Sequence, residues 1–268
     1  MMRLAALVLL AIVAGGNAFA QDSPEQNSPE AMARAQQGAS RLANIQRNWG
    51  PKMNTPGASI TLKETSRRST GKQTVVFYRI IASGMPKDKL YSLVLTSFDL
   101  QPKPIMEGIT LDGSGQAVCS GHLGGCAEPG EENDPVDLGL VAARAEPKRF
   151  TLVSEDGQVK AFTYVIPFPV TGVDRGCSIE AILLLQHAEA VLIQGSGFAA
   201  NAAVRMKAMS ETEQQENDLK ADSSGGIFTV LLPYVKGKTD GKGKVTFASQ
   251  TCSPSLTSQW GLHSYKEQ

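Results

Sequence analysis

Neither sign of charge is in excess in this sequence. Lys and Arg together number 26, as do Asp and Glu, so the formal net charge is zero and the pI is near 6.8. A chain with this balance has no long-range field that would attract a polyanion or an anionic lipid surface. We therefore expect no nucleic-acid partner.

Signatures of catalysis are also missing. Gly-x-Ser-x-Gly does not occur, and the glycine pairs lie between strand candidates, where they open no helix that would bind phosphate. Of the three histidines, His187 follows an apolar run and His263 lies close to the C-terminus. We predict that the chain is not an enzyme and carries no cofactor.

Long hydrophobic runs are confined to the first twenty residues. Arg3 precedes the apolar segment 4–14, and Ala18-Phe19-Ala20 has the small-x-small pattern of a cleavage site. No later segment has the ~20 apolar residues that a spanning helix needs. We expect a signal peptide over residues 1–20 and an exported chain, periplasmic or secreted, that does not span the membrane.

Cysteine is scarce, but its number is even. Four cysteines in an exported protein predict two disulfides, for which three pairings exist. Cys119 and Cys126 enclose a glycine-rich loop that is flexible enough for its ends to meet. Cys177 and Cys252 then close a long loop, which constrains the unfolded chain. We predict the pairs Cys119–Cys126 and Cys177–Cys252.

What the sequence does contain is a series of short β-branched and aromatic runs separated by turn residues, which begins at residue 58. We predict an all-β fold with two tandem Ig-like β-sandwich domains, over residues 58–172 and 177–262. Residues 21–57 are polar and rich in proline, and we interpret them as a linker with a candidate short helix over 29–46. Residues 263–268 form a tail.

An internal repeat supports two copies of one plan. Residues 81–88 align with residues 194–201, and the strand that follows each stretch aligns without a gap. An Asp-rich turn comes later in each copy, at Asp112 and at Asp222. We expect the repeated segment to be a structural turn formed by Gly84, Pro86, Gly195, Gly197 and Phe198.

The motif in the second copy resembles a known family. Gly195-Ser196-Gly197-Phe198 precedes an alternating strand, and Asp222-Ser223-Ser224-Gly225 leads into another strand. This order is similar to bacterial extracytoplasmic Ig-like repeats of the TIG type. The resemblance implies a sandwich used for spacing, adhesion or ligand contact, and it implies no catalytic residue.

Two features could hold a metal ion. Cys119-x-x-His122-x-x-x-Cys126 has ligand spacing, although a disulfide between the cysteines would remove both thiolates. Acidic residues crowd the following loop, where oxygen ligands could bind Ca²⁺. We favour a disulfide loop and a solvated acidic loop, and therefore no metal. The weak candidate ligands are His122, Glu128, Glu131, Glu132 and Asp134.

Aromatic residues are few, at 6% of the chain. Trp49, Phe168, Tyr234 and Trp260 would stack on sugar rings if they were exposed, but aromatic side chains in a sandwich of this size more often belong to the core.

The sequence favours a non-catalytic exported binding or structural module whose partner is an envelope protein or a glycan. The alternative is a metal-dependent or hydrolytic enzyme that uses the His122 and Glu128–Asp137 region. A third hypothesis is docking of a partner on an uncovered edge strand.

The disulfide prediction is testable by peptide mapping under non-reducing conditions. Proteolysis of the oxidised protein should release one cross-linked peptide that contains Cys119 and Cys126, and another that contains Cys177 and Cys252. A peptide that joins Cys126 to Cys177 would show the predicted pairing to be wrong.

Overall fold

The computed structural model describes residues 33, 36, 53–69, 71, 73–96, 98, 101–119, 134–235 and 237–264. Their secondary structure is built almost entirely from antiparallel strands. In chain order the strands are β1 (Ser59–Ser69), β2 (Thr74–Ser83), β3 (Tyr91–Thr96), β4 (Pro102–Leu111), β5 (Ala117–Cys119), β6 (Asp137–Leu140), β7 (Lys148–Ser154), β8 (Lys160–Val165), β9 (Val170–Asp174), β10 (Cys177–Leu183), β11 (Val191–Ser196), β12 (Ala203–Ser210), β13 (Glu213–Lys220), β14 (Ile227–Leu231), β15 (Asp240–Ala248) and β16 (Ser255–Gly261).

The first sandwich consists of a three-stranded sheet, ordered β1-β2-β6, and a five-stranded sheet, ordered β5-β4-β3-β7-β8. Alternate residues of these strands point into the space between the sheets, because successive side chains of a strand face opposite ways. The core contains Ile80, Tyr91, Leu93, Phe150 and Leu152, all of them fully buried.

The second sandwich consists of two four-stranded sheets. We call β14-β11-β10-β9 the front sheet and β13-β12-β15-β16 the back sheet. Ile179, Ile193, Met206, Phe247 and Trp260 fill the space between them. The predicted all-β class, with two β-sandwiches in tandem, is confirmed.

The two sandwiches repeat one strand arrangement in the same register. Strands β1 and β2 pair Ser59 with Ser83, and strands β10 and β11 pair Ser178 with Ser196. Strand β6 then lies beside β2 as β14 lies beside β11. The order β4-β3-β7-β8 in the first sandwich corresponds to β13-β12-β15-β16 in the second. The internal repeat is therefore present in the strand topology as well as in the sequence.

A left-handed glycine follows the second strand of each repeat. Gly84 has φ +67° and Gly197 has φ +80°. A Cβ on Gly84 would lie 2.0 Å from the carbonyl oxygen of Gly57, and one on Gly197 would lie 2.2 Å from that of Gly176. Only glycine fits both the backbone angle and the space at these positions.

The other predicted turn residues lie around these glycines. The carbonyl of Pro86 accepts a hydrogen bond of 2.5 Å from the Tyr91 hydroxyl. Phe198 is buried, with its ring centroid 6.3 Å from that of Phe247. A Cβ on Gly195 would lie 2.9 Å from the Phe198 ring.

The structure confirms the predicted disulfide between Cys177 and Cys252, whose Cα atoms are 6.2 Å apart and 75 positions apart in the sequence. It joins the first residue of β10 in the front sheet to the connection between β15 and β16 in the back sheet. Cys119 is also in a disulfide, but its predicted partner Cys126 lies outside the described residues, so that pairing stays a prediction.

Several predictions about the ends of the chain fall outside the described residues. These are the signal peptide over residues 1–20, Trp49 and residues 265–268 of the tail. Ala33 and Gln36 are helical and exposed, and the rest of the candidate helix 29–46 is not described. Among the residues that are described, no helix has the length and apolar character needed to cross a membrane.

The limits proposed for the two domains, 58–172 and 177–262, stay predictions. Strand β9 lies across the junction between them, and it pairs with β10 in the front sheet. Val170, at the start of β9, packs in the core of the second sandwich.

Substitution of the left-handed glycines should separate steric crowding from backbone strain. Gly197→Ala places its Cβ against a backbone oxygen, whereas Gly157→Ala has a similar φ of +69° with nothing within 4 Å. We expect Gly157→Ala to lower the free energy of unfolding by about 1–2 kcal/mol, and Gly197→Ala to lower it by at least twice as much. Chemical denaturation measures both. Equal losses would show that crowding at Gly197 is unimportant.

Candidate functional site

Four of the five sequence-predicted metal candidates, His122, Glu128, Glu131 and Glu132, lie outside the described residues, so that prediction stays open. Asp134 is described, and its backbone carbonyl accepts a hydrogen bond of 3.0 Å from the Cys119 amide. The described part of the chain contains no group of three or more His, Cys, Asp or Glu side chains that could hold a metal ion.

Three acidic residues on or beside β13 are paired with basic groups. Glu216 lies 3.0 Å from Lys207 and Asp218 lies 3.1 Å from Arg205, in both cases directly across the β12–β13 ladder. Glu211 contacts Lys238 at 3.0 Å. These charges form a solvated outer face on the back sheet.

The candidate aromatic and histidine residues are dispersed. Trp260 is 1% exposed and packs edge-on against Tyr234, which leaves its indole no face for a sugar. The guanidinium of Arg67 lies 5.4 Å from the centre of the Phe168 ring. His263 contacts Asp240 at 2.7 Å on the surface, whereas His187 lies in a 3-10 turn between β10 and β11.

A groove of about 310 Å³ lies where the two sandwiches meet. Its floor is the outer face of the front sheet, and its other wall comes from the β7–β8 side of the first sandwich. It is lined by Pro147, Arg149, Tyr164, Ile182, Leu184, Leu192, Gln194, Gly195, Asp222, Gly226, Ile227 and Phe228.

The floor exists because one end of the front sheet is apolar on both faces. Residues 181–185 are a continuous apolar run, so the side chains that do not enter the core still form a hydrophobic surface. On that outer face Ile182 lies opposite Leu192, and Leu192 lies opposite Val230. None of the sequence-based predictions included these residues as a site, although the unbroken apolar run was their signal.

The neighbouring row of the same face adds polar groups. Glu180 lies opposite Gln194, and Gln194 lies opposite Phe228, whose side chain is 40% exposed. The next row is polar, because the hydroxyl groups of Ser178 and Ser196 share a hydrogen bond of 3.0 Å. The outer face of the front sheet therefore changes along the strands, from aliphatic at Ile182 and Leu192 to polar at Ser178 and Ser196.

The first sandwich supplies the opposite wall through a cross-strand pair. Arg149 on β7 lies directly opposite Tyr164 on β8. Both side chains are on the outer face of the five-stranded sheet, because their chain neighbours Phe150 and Val165 pack in or against its core. Arg149 is 4% exposed and Tyr164 is 47% exposed.

Burial changes the acid–base behaviour of two groups near the groove, Tyr164 on this wall and Glu180 on the front sheet. It raises the pKa of the Glu180 carboxyl, since the charged form loses hydration. It also raises the pKa of the Tyr164 hydroxyl, where the negative charge of Glu180 acts in the same direction and Arg149 acts against it. Arg149, Tyr164 and Glu180 thus form one electrostatic group beside the groove.

Backbone hydrogen bonds hold the two walls together. The Ala145 amide donates to the Phe168 carbonyl at 2.8 Å, and the Ala145 carbonyl accepts from the Leu183 amide at 2.9 Å. Ala145 itself packs in the core of the second sandwich. Next to it, the buried Glu146 carboxylate accepts hydrogen bonds of 2.9 Å from the Ala143 amide and 2.8 Å from Lys148. The segment that leads into β7 is therefore fixed against the front sheet.

An Asp turn forms one end of the groove. One carboxylate oxygen of Asp222 accepts hydrogen bonds from the Ser224 amide at 2.7 Å, the Ser224 hydroxyl at 2.6 Å and the Gly226 amide at 2.8 Å. These bonds, that from the Ser224 hydroxyl foremost, lower the pKa of Asp222. Asp112 makes the same turn in the first sandwich, with three bonds of 2.7–2.9 Å.

Comparisons with known proteins give no family assignment. No family model matches the chain, and no curated protein matches it. Among solved structures, a tetra-tandem repeat from the extending region of a large adhesion protein is similar over 77% of this chain, with 11% identity and a TM-score of 0.26. The chain spans about half the length of that structure, at 50%. A DUF3823 family protein from Bacteroides ovatus is similar over 76% of this chain and 96% of its own, with 10% identity and a TM-score of 0.18.

The Asp turn predicts a defined pH dependence of stability. The folded-state pKa of Asp222 lies below its ordinary value of 3.8, so its stabilisation is complete above that value and is lost as the pH falls through the folded pKa. Asp222→Asn should therefore lower the Tm by a few degrees at pH 7, and the difference from wild type should shrink towards pH 2. Thermal melts across this range measure it.

Asp112→Asn serves as the matched variant, because its turn has the same hydrogen bonds. It should show the same trend. A Tm difference that stays constant from pH 7 to pH 2 would contradict a role for the ionised carboxylate.

Proposed function

We propose that this protein is an exported, non-catalytic binding module, in which two tandem Ig-like sandwiches hold a preformed groove at their junction. The single observation that carries this proposal is the groove itself, about 310 Å³ in volume with an aliphatic floor and a few polar side chains. Small-molecule sites have this construction, with volumes of roughly 300–1,000 Å³.

The proposed location is the periplasm or the outside of the cell. The disulfide between Cys177 and Cys252 supports it, because such bonds persist in oxidising compartments. The matching left-handed glycines and strand register support the further proposal that both sandwiches are degenerate TIG-type repeats.

The chemistry of the groove supports binding without turnover. Among the described residues that line it, none is a serine, cysteine, histidine or lysine. One oxygen of its carboxylate residue, Asp222, accepts three hydrogen bonds in a turn. Nucleophilic and acid–base catalysis need a reactive side chain beside a positioned base, and the lining residues do not supply that pair.

The size of the groove also limits which class of partner can bind. A specific protein partner buries about 800 Å² on each side, which is far more than this groove offers. A small molecule from the cell envelope fits a site of this volume better than a folded protein does.

Binding of a neutral hydrophobic dye tests the proposal. Nile red should bind the wild type saturably with one molecule per chain. Leu192→Glu places a charge on the floor and should weaken this binding at least tenfold, because an unpaired charge in an apolar site is strongly unfavourable. Fluorescence titration measures the affinity of each variant.

Val173→Glu is the control, since Val173 is 72% exposed on β9 of the same front sheet, away from the groove lining. It should bind dye like the wild type. Equal binding by all three proteins, or no saturable binding by the wild type, would refute the groove as a binding site. Hydrolysis in a broad substrate screen, lost on Tyr164→Phe, would refute the non-catalytic assignment.

A further inference from the structure

We infer that two copies of this protein associate edge to edge through β14, which joins their front sheets into one continuous sheet. This inference does not depend on ligand binding in the groove. It rests on the unpaired outer edge of β14 among the described strands, on the absence of charge from that strand, and on a sequence that complements itself in antiparallel pairing.

Strand β14 has an open edge. The edge of a sheet presents unpaired backbone N–H and C=O groups, with which another strand can pair. Among the described strands β14 pairs with β11 alone, and no hydrogen bond joins its outer edge to another described segment. Its sequence, Ile227–Leu231, contains neither a charged residue nor a proline. Charges, prolines and covering segments are the usual means by which proteins block such an edge.

The edges of the first sandwich are blocked by these means. On one side the backbone amides of β8 donate to the side chains of Asn54 at 2.8 Å and Thr55 at 2.9 Å. On the other side the segment before β6 covers β5, where the Cys119 amide donates to the Asp134 carbonyl at 3.0 Å. The remaining edge strands, β1 and β6, carry charged residues, which are Lys63, Glu64, Arg67, Arg68 and Asp137.

The other three edges of the second sandwich are blocked as well. Strands β9 and β16 lie against each other, because a Cβ on Gly172 would lie 2.0 Å from the carbonyl oxygen of Ser255. The Asp174 carboxylate accepts a hydrogen bond of 2.6 Å from the Ser253 amide at the same place. Strand β13 carries four charged residues, Glu213, Glu216, Asp218 and Lys220. Among the described edges, β14 is therefore the one that is neither charged nor covered.

The matching strand is β14 of a second copy, since the other described edges are blocked. Antiparallel pairing about a two-fold axis at Thr229 places this residue opposite itself. Phe228 then lies opposite Val230, and Ile227 lies opposite Leu231. Pairs of threonines and pairs of an aromatic with a β-branched residue are favourable across strands, and no like charges meet. A two-fold axis also closes the assembly at two copies.

The strength of the association follows from the size of the edge. Phe228 keeps 40% of its side chain exposed in the single chain, so pairing covers apolar surface as well as backbone groups. A strand of five residues is nevertheless smaller than a standard interface, which buries about 800 Å² on each side. We therefore expect a reversible dimer, which forms at micromolar or higher concentration.

The first experiment measures association of the unaltered protein. Sedimentation velocity should show a shift from monomer to dimer as the concentration rises from about 1 to about 300 µM, the range of a weak interface. Directly opposed residues of an antiparallel pair have Cα atoms about 4.5–5.5 Å apart, which a disulfide can span. Thr229→Cys should therefore give a covalent dimer on mild oxidation. Val173→Cys is the control, because Val173 is 72% exposed on β9 at the opposite edge of the front sheet, and it should stay monomeric.

Charge substitutions then test the pairing. The two copies of residue 228 lie diagonally across the axis on one face of the joined sheet. Phe228→Lys and Phe228→Glu should each raise the dissociation constant of the dimer at least tenfold, and an equimolar mixture of the two should recover dimer. Val173→Glu should dimerise like the wild type. Circular dichroism reports whether each variant is folded, and if the Phe228 variants are not, the wild type and Thr229→Cys decide the question.

Each contrary result overturns a stated part of the inference. A wild type that stays monomeric at 300 µM, or Thr229→Cys that cross-links no faster than Val173→Cys, would overturn the dimer through β14. Dimers that persist in both Phe228 variants would place the interface elsewhere. Separate losses in Phe228→Lys and Phe228→Glu without recovery in the mixture would overturn the antiparallel pairing about Thr229.

Discussion

The candidate site depends on the backbone hydrogen bonds of Ala145, which hold the two walls of the groove together. The Ala145 amide donates to the Phe168 carbonyl, and the Ala145 carbonyl accepts from the amide of Leu183 at the end of β10. A buried peptide group must find hydrogen-bond partners, and an unmet one is costly. The chain before β7 is thereby held against the front sheet, and the same contacts place Arg149 and Tyr164 opposite the apolar face. Both sandwiches are needed for the groove, since each of them supplies part of its lining.

Contacts within each sandwich also hold its strands in place around the groove. Gly84 and Gly197, which follow β2 and β11, lie directly against the backbone carbonyls of Gly57 and Gly176, a contact that a Cβ would prevent. The disulfide ties the front sheet to the back sheet at the start of β10, and a bridge over a loop of this length typically stabilises a fold by about 2–4 kcal/mol. The floor of the groove therefore belongs to a sheet that is fixed at both ends.

Much of this fold could be predicted from the sequence because its signals are local. Period-two alternation at Val204, Met206 and Ala208 predicts a strand, and repeated Gly and Asp turns predict a second copy of the plan. The pair Cys177–Cys252 followed from export and from the shorter loop at Cys119. The groove could not be predicted in this way. It needs Arg149 and Leu192, more than forty positions apart, to face each other, and no local pattern specifies how one sandwich docks on another.

The sequence did contain evidence that the outer face of the front sheet is covered. Residues 181–185 are apolar without interruption, although the outer face of an antiparallel sheet can face water and then alternates with polar residues. The combination of an uninterrupted run with antiparallel pairing implies that something covers the outer face. The sequence did not indicate which element covers this face, because that element comes from the other sandwich.

The two outer faces of the second sandwich show how unusual the groove floor is within this molecule. On the back sheet, Arg205 with Asp218 and Lys207 with Glu216 form charged cross-strand pairs, the usual solution for a face in contact with water. On the front sheet the equivalent outward positions are Ile182, Leu192 and Val230. The first sandwich covers this surface only in part, since Phe228 keeps 40% of its side chain exposed. A face that served domain docking alone would be apolar only where it is covered. The apolar surface here continues past the covered region into an open groove beside a buried arginine, and this open part is the surface that we propose as a binding site.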